Sequence, residues 1–442
     1  EYNVVAKANR ANEAILIEER KASSIPIENI GRREMSKKGI STVQEGVKKI
    51  TGVSIADAGQ LIVRGLGDRY SITTLNGLPI ASPNPDNKLI PLDLFPTSVV
   101  QNITVSKVFE VGSFADYSGA HIDINTSENI EEDFLSVSFS YGHNFNNLYT
   151  DFYQMDNKSI LSNNNLSKDV VKIESTTEFT NLLKQEDIFG TTFSVNQSIS
   201  TPNIGAGITG GKEWKLSGDR KISLLASFDA ENYNSARNDA FITTLNAQGV
   251  KLNEFYYDSY TKGLDIASLF DISYSFKNFD RISYTLFYAR NATQNYKLRN
   301  GFDSEGINLV GSNGVNHIYS LLNNQLMGKH KLSDSWKLYW SGSFGFTSSL
   351  EPDRKQVMFR DDGDYLTLFK LNQQETMRYF GNLYEKELTG NARTTYTFGD
   401  NDNLLNFGVT YKFKRRDFTS TRFYYNVRNI NPEVEEPYNT DD

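Results

Sequence analysis

The segment from Thr51 to Thr126 decides the fold, and it reads TGVSIADAGQLIVRGLGDRYSITTLNGLPIASPNPDNKLIPLDLFPTSVVQNITVSKVFEVGSFADYSGAHIDINT. Short apolar runs with β propensity alternate here with turns rich in Gly, Asn and Pro. Leu61 to Arg64 and Ile72 to Leu75 are predicted strands, and Asn76-Gly77 is a strong turn signal. Asn102 to Val108 and His121 to Asn125 are the predicted closing strands. This texture is typical of a small α+β domain.

The residues before this segment give weaker predictions of secondary structure. Glu1 to about Ser24 is polar and mixed, which predicts a mobile arm or an edge strand. Ser36 to Ile50 fits a helix, with Val43, Val47 and Ile50 on one face. Ala81 to Leu89 is predicted to be an exposed loop, and Thr97 to Gln101 a helical turn.

The hydrophobic period changes to two beyond Ile130. Large apolar residues alternate with Ser, Gly, Asn and charged residues in Leu135–Tyr141, Ile222–Phe228, Phe270–Phe276, Ile282–Tyr288, Trp336–Phe346 and Leu405–Phe413. One face of each strand is therefore apolar and the other is polar, and nine such strands are counted. Short turns near 218–220, 277–280, 333–335 and 399–403 alternate with polar segments at about 143–203, 234–265, 293–316 and 351–375.

Short and long connections that alternate strictly predict an up-and-down transmembrane β-barrel with tight turns on one rim and long loops on the other. Strands of about 10 residues or more can cross a bilayer when tilted. A soluble β-sandwich or β-helix is the alternative, but the face opposite the apolar one suits a wet lumen better than a dry core.

Composition excludes several classes of protein. The 442 residues exceed one ordinary core, and no apolar run is long enough for a membrane-spanning helix. The absence of cysteine rules out disulfides and thiolate metal sites, and the net charge of −8 argues against nucleic-acid binding. No residue pattern indicates a catalytic centre, a metal site or a bound cofactor, so an enzyme is not expected.

The last counted strand lies near Leu404 to Phe418, and the residues after it are polar. Nine strands leave such a sheet open. We therefore expect the chain to be the N-terminal portion of a longer barrel protein.

The chain resembles the TonB-dependent outer-membrane receptors. The resemblance rests on TGVSI at Thr51–Ile55, VRGLGDRYSITTLNG at Val63–Gly77, LDLFPTSVVQNITVSK at Leu92–Lys107 and YSGAHIDINT at Tyr117–Thr126. It is closest to Bacteroidota members that usually carry a preceding carboxypeptidase-like regulatory domain, which is absent from this sequence. The PLYVVDG-type motif of glycan importers is also absent, because Thr74 to Pro79 reads TLNGLP.

The resemblance implies an N-terminal α+β plug domain over residues 1–130. Residues 131–442 would then form about nine strands of a barrel of about 22 strands. The family's plug motif falls on Arg64, Gly65, Gly67, Asp68, Arg69, Asn76 and Gly77. Arg64 and Arg69 are expected to pair with carboxylates of the wall or the plug, either to hold the plug for release or simply to stabilise it. The glycines would permit tight turns.

Two further regions take roles from the resemblance. A TonB box is expected at Tyr2, Asn3, Val4, Val5 and Ala6, where an extended arm would pair with a sheet of the TonB-type periplasmic energy transducer. Contacts to the ligand are expected from the plug loop, at Ser82, Asn84, Asp86, Asn87 and Lys88, together with the long barrel loops.

The implied function is a receptor in the bacterial outer membrane that captures a scarce ligand and imports it by energy-driven remodelling of the plug. Its partners would be the energy transducer, outer-membrane lipids, and a surface lipoprotein or larger outer-membrane complex. An alternative is a receptor-like barrel that serves as a structural or assembly component of such a complex. A secreted β-rich enzyme is a third reading, which extraction only by detergent would exclude.

Overall fold

The structure is a computed structural model. It describes residues 11–23, 25–55, 61–85, 87–109, 113–114, 116–126, 130, 132–145, 147–157, 159–160, 166–173, 175–276, 279–369, 376–399, 403–425 and 433–434. No helix among these residues has the length and apolar content that crossing a membrane requires.

The first described residues form a helix where an arm or edge strand was expected. Helix α1 (Glu13–Ala22) starts at Asn12, whose side chain accepts a hydrogen bond from the amide of Ala14. Leu16 is fully buried, and Arg20 reaches the backbone carbonyl of Asn29 on strand β1 (Ile27–Gly31). Capping and one buried face therefore favour a helix, and the expectation was wrong for residues 13–22; residues 1–10 lie outside the described residues.

The single helix expected over Ser36 to Ile50 is two short helices. Helix α2 (Arg32–Lys37) ends before Gly39, which has a φ of +65°. Helix α3 (Val43–Val47) starts at Thr42, whose hydroxyl accepts from the amide of Glu45. A left-handed glycine stops the first helix, and a new cap starts the second.

The N-terminal domain is built on a five-stranded sheet. Beside β1, its strands are β4 (Ile72–Leu75), β5 (Leu78–Pro79), β6 (Val100–Ser106) and β7 (His121–Thr126), in the order β1-β6-β7-β4-β5. The small hairpin β2 (Val53–Ile55) and β3 (Leu61–Val63) lies outside it. The helical turn expected at 97–101 is shorter than predicted, because residues 97–99 form a hydrogen-bonded turn and β6 already begins at Val100.

Nine long strands follow and form one antiparallel sheet, called the wall. They are β8 (Phe134–Gly142), β11 (Asn203–Lys215), β12 (Lys221–Leu245), β13 (Lys251–Ser275), β14 (Arg281–Phe302), β15 (Asn308–Lys331), β16 (Trp336–Asp361), β18 (Met377–Phe398) and β19 (Asn403–Tyr424). Each pairs with the next. Nine strands were expected, and nine make up this path through the described residues. Short strands β17 (Leu366–Leu368) and β20 (Glu433–Val434) extend the edge of β16.

Three of the four polar segments between the expected strands, at about 234–265, 293–316 and 351–375, are mostly strand in the described residues. β12 and β13 run up to a connection at 246–250, and β14 and β15 up to one at 303–307. The expectation of long loops was therefore wrong for these connections. Their strands carry polar residues on both faces and so lack the alternation by which the lower halves were recognised.

The connection between β8 and β11 is different, because it has its own structure. It contains strands β9 (Asp151–Met155) and β10 (Val195–Ile199), which pair with each other. Helices α4 (Lys168–Val171) and α5 (Thr176–Gln185) lie between them.

The two faces of the wall are distinct. On β14, Phe287 and Ala289 join the core of the N-terminal domain, together with Leu225, Leu269 and Leu321 from neighbouring strands. Alternate residues such as Ile282 point to the opposite face and are exposed. The wall therefore packs one face, which carries both apolar and polar residues, against the N-terminal domain and turns the other face away.

Candidate functional site at the junction of the two domains

A tight turn of the N-terminal domain docks on the wall. Asn76 and Gly77 have φ of +53° and +77°, the signature of the hairpin turn that this dipeptide favours. The Asn76 amide donates to Gln325 Oε1 at 2.9 Å, and the Gln325 amide donates to the Leu75 carbonyl at 2.8 Å. Asn76 Oδ1 accepts from the amide of Thr126 at 2.9 Å. The turn was expected from the sequence. The contact with Gln325 was not, because nothing in the sequence distinguishes this residue from others on the polar face of its strand.

An apolar seam runs beside this link. Phe95 and Phe287 are both fully buried and stack with ring centroids 5.0 Å apart. Near them, the Ser98 hydroxyl donates to Asp229 Oδ2 at 2.7 Å. The seam and the hydrogen bonds hold the domain against strands β12 to β15.

A charged cluster joins the domain to the far edge of the wall. Glu385 and Glu387 of β18 are buried on the inner face. They face three cations of β19, namely Lys412, Lys414 and Arg416, with Lys414 Nζ 2.6 Å from Glu385 Oε1.

Two of these cations extend to the N-terminal domain. Lys412 Nζ lies 3.3 Å from Asp116 Oδ2, and Arg416 donates to the Ser82 carbonyl at 3.4 Å. The buried carboxylates thus meet their partners within the wall, and the surplus positive charge contacts the enclosed domain.

Among the residues that the structure describes, Arg64 and Arg69 make no ion pair with a carboxylate. Arg64 is exposed and donates to the carbonyl of Lys107 within its own domain, and Arg69 is exposed as well. Arg64 and Gly65 both have positive φ, at +50° and +80°, so the stretch is a tight turn. Gly67 precedes a short 3-10 turn at Asp68–Tyr70, and Asp68 accepts the amide of Lys88 at 3.0 Å. This motif therefore shapes loops, and in the described residues the carboxylate contacts to the wall are made elsewhere.

The apical loop is more buried than the sequence suggested. Ser82 is almost fully buried, and its hydroxyl donates to the Leu89 carbonyl at 2.9 Å, so it holds the loop closed. Lys88 is exposed and its ammonium binds the Asp116 carbonyl. Partial burial lowers the pKa of Lys88, against the opposing effect of Asp116. Asp86 lies outside the described residues, as do all five residues of the expected TonB box.

Asn84 and Asn87 line a cavity of about 140 Å³ between this loop and the wall, where Asp68 and the wall residue Tyr319 also lie. Of the five candidate contact residues, these two face a space that a small ligand group could enter. Asp93 borders this cavity and also a larger one of about 280 Å³. Burial raises the pKa of Asp93, and one of its carboxylate oxygens has no hydrogen-bond partner among the described residues.

Comparisons with known proteins agree with this geometry. Residues 19–114 match the family model described as TonB-dependent Receptor Plug Domain. The sequence has no match among the curated proteins.

Among solved structures, the chain is similar to BauA, the ferric preacinetobactin receptor from Acinetobacter baumannii. The identity is 11%, the alignment covers 93% of this chain and 60% of that one, and the TM-score is 0.39. It is also similar to the outer membrane transporter YddB from Escherichia coli, at 8% identity, 92% and 57% coverage and a TM-score of 0.35. The chain therefore spans less than two thirds of the length of either structure.

The N-terminal domain has the elements, the core and the family match of a plug, and the wall packs around it with one face. The chain thus combines a TonB-dependent receptor plug domain with the antiparallel strands of a β-barrel wall.

Proposed function

We propose that this chain is the plug and part of the barrel of a TonB-dependent receptor in the bacterial outer membrane. Such a receptor binds a scarce ligand at the cell surface and imports it by energy-driven remodelling of the plug. The observation that carries the proposal is the plug domain match over residues 19–114, together with the packing of that domain against the inner face of the wall.

The outer face of the wall supports placement in a membrane. Ile272, Ile282, Leu326 and Phe344 point away from the plug and are exposed. Exposed apolar residues on one face of antiparallel strands, with polar residues on the other, are what a lipid-facing barrel requires. Outer-membrane lipids are therefore proposed partners.

The junction suits a plug that can be displaced stepwise. Its polar links include Asn76 to Gln325, Gln325 to the Leu75 carbonyl, Ser98 to Asp229, Lys412 to Asp116 and Arg416 to the Ser82 carbonyl. A single hydrogen bond contributes only about 0.5–1.5 kcal/mol net, so links broken one after another resist a pull far less than one cooperative interface. The TonB-type transducer would supply that pull through residues 2–6.

The finer assignments belong to the same proposal. The sequence of the plug motifs favours a Bacteroidota receptor of the kind that carries a preceding regulatory domain. A surface lipoprotein is a partner that such a receptor would take. Plug-domain receptors act by binding and transport, so we propose no catalytic role.

Transducer binding tests this function without knowledge of the ligand. The full-length protein in detergent, a variant lacking Tyr2 to Ala6, and a variant with Lys7 to Arg10 replaced by Gly-Ser are each titrated with the purified C-terminal domain of a TonB-type transducer. We expect saturable binding by the first and third proteins and at least a tenfold loss in the second.

Equal binding by all three proteins would contradict the TonB-box assignment. No binding by any of them, with stoichiometric co-purification of other envelope proteins, would favour the scaffold alternative.

A further inference from the structure

Part of the connection between β8 and β11 is fastened to the wall. We call residues 151–156 and 187–199 the collar; they comprise β9, β10 and the stretch that leads into β10. Phe152 and Met155 of the collar are buried against Tyr260 and Tyr296 of the wall. Phe193 packs on Val357 and Phe359. These contacts fasten to the wall a segment that the sequence presents as part of a long polar connection.

The collar lies on the outer face of the wall. On β14, Phe287 and Ala289 contact the plug, whereas Gln294 and Tyr296 contact the collar. The pairing of β14 with both neighbours is regular from Arg281 to Phe302, so odd and even residues keep to opposite faces.

The side chains of strand β18 also place the connection between β8 and β11 on the face of the wall opposite the plug. Glu385 faces the plug side through Arg416, whereas Arg378 and Phe380 contact the connection between β8 and β11. The ladder between β18 and β19 is also regular, from Met377 to Phe398.

Three buried charged residues of the wall bind the collar, and we call Asp353, Lys355 and Arg378 the clasp. Asp353 sits at a β-bulge of β16 with a φ of +56°, between Lys355 and Arg378, and its Oδ2 lies 3.5 Å from each cation. Lys355 is fully buried and donates to the carbonyls of Asp156 and Thr192. Arg378 donates to the Thr191 carbonyl at 2.5 Å.

Further contacts hold the clasp and the collar in one arrangement. The guanidinium of Arg378 lies over the rings of Phe189 and Phe193, at 4.3 and 5.0 Å from their centroids. Thr192 in turn donates its amide to the Asp156 carboxylate at 2.8 Å, so both ends of the collar meet at one point. A buried cation that loses its partners leaves an uncompensated charge, which opposes opening of the collar.

The connection that carries the collar meets β14 where the row of outward apolar residues ends. Ile282, Tyr284, Leu286 and Tyr288 form four successive outward positions of β14, and the next one, Arg290, already donates to the Ile160 carbonyl. From Ile282 to Arg290 the strand advances eight residues, about 26 Å along its own axis. With the tilt of about 40° that barrel strands have, this corresponds to about 20 Å of height, most of the apolar band of about 25 Å.

We propose that the collar is a fixed brace on the outer face of the wall, just beyond the membrane, and takes no part in ligand capture. Ligand contacts then come from the plug loop and from inner-face residues of the wall. The position of the collar stands on geometry alone, and only its relation to the membrane and ligand rests on the proposed function.

A disulfide tests the position of the collar in the full-length protein, whose described chain holds no cysteine. A Cβ added at Gly314 would lie 2.9 Å from the Met155 Cβ, and the Met155→Cys change removes the sulfur that would otherwise clash. Disulfides need Cβ atoms about 3.5–4.5 Å apart, which a small shift provides. We expect Met155→Cys/Gly314→Cys to lose most of its free thiol in air, as measured by maleimide labelling.

The control pair is Met155→Cys with Gly345→Cys, which lies on the inner face beside Asn323. It should keep both thiols free. A link that forms equally in the control, or fails to form in a test pair that folds, would overturn the proposal.

Limited proteolysis tests the clasp and distinguishes a brace from a lid. We expect the native collar to resist cleavage, and Lys355→Met/Arg378→Leu to be cut within the collar at least tenfold faster. Lys386→Met, an exposed lysine of β18, is the matched control and should change nothing.

Rapid cleavage of the unaltered protein would show a mobile lid and overturn the brace. An unchanged rate in the double variant would reject the clasp. Neither measurement uses a transducer or a ligand, so failure of the proposed function leaves both results interpretable.

Discussion

At the scale of single residues, Gln325 shows how the plug is held without charge. Its side chain is almost fully buried, and it donates to the Leu75 carbonyl while accepting from Asn76. The two amides satisfy each other across the domain boundary. A neutral pair has a smaller desolvation cost than an ion pair, which suits a contact that must also be released.

Replacement of this amide should loosen the plug. Gln325→Ala leaves the Asn76 amide and the Leu75 carbonyl without partners in a buried site, at a cost of about 1–3 kcal/mol. We expect a lower free energy of unfolding for the full-length protein in detergent, measured by urea titration. Gln197→Ala, at an exposed position of β10, should leave it unchanged. Equal values for both variants would remove Gln325 from the junction.

Asp93 should make the junction sensitive to pH. Burial raises its pKa, so the plug binds this proton more tightly when folded than when unfolded. Its contribution is therefore most favourable at low pH and is lost as the pH rises through the folded pKa, by about 1.4 kcal/mol per unit of elevation.

Asp93→Asn removes that loss. We expect the variant to have a higher Tm than the unaltered protein at pH 7, and a difference that shrinks towards zero below pH 4, by calorimetry. A difference that is the same at both pH values would assign the effect to packing instead of ionisation.

At the scale of elements, the wall strands divide into two halves with different sequence signals. The lower halves alternate apolar and polar residues and were recognised, as in Ile282–Tyr288. The upper halves, such as Asn291–Phe302 of β14, continue the same ladder with polar residues on both faces. Hydrogen bonds between neighbours maintain a strand there, and they leave no periodicity in the sequence.

The collar illustrates the same limit for a connection. Its residues alternate weakly, and the sequence suggested a polar loop. The buried partners Lys355 and Arg378 lie about 200 residues away along the chain, so no local pattern could predict the clasp.

At the scale of the whole molecule, neighbouring residues of one wall strand lie in different surroundings. Gln325 points inward to the plug, and Leu326 points outward with 46% of its surface exposed. A strand that divides plug from lipid in this way needs no helix and no apolar run.

Charge on the outer face should therefore impair insertion. Leu326→Arg places a cation within the apolar band, at a cost of about 2–4 kcal/mol near the bilayer midplane. We expect less folded protein when the full-length chain is diluted from urea into lipid vesicles, scored by heat-modifiable gel mobility. Tyr256→Arg, exposed near the tip of the β12–β13 hairpin, should insert normally. Equal insertion would contradict the lipid-facing assignment.

The sequence by itself determined the two-part architecture, the nine wall strands and the Asn76-Gly77 turn. These depend on alternation and on the φ that Asn and Gly tolerate, which are local properties. Only the tertiary structure decided that Gln325 receives the turn, that Glu385 and Glu387 pair within the wall, and that the collar lies outside it. Those contacts join residues far apart in the chain, and their energy comes from burial, which a linear pattern does not record.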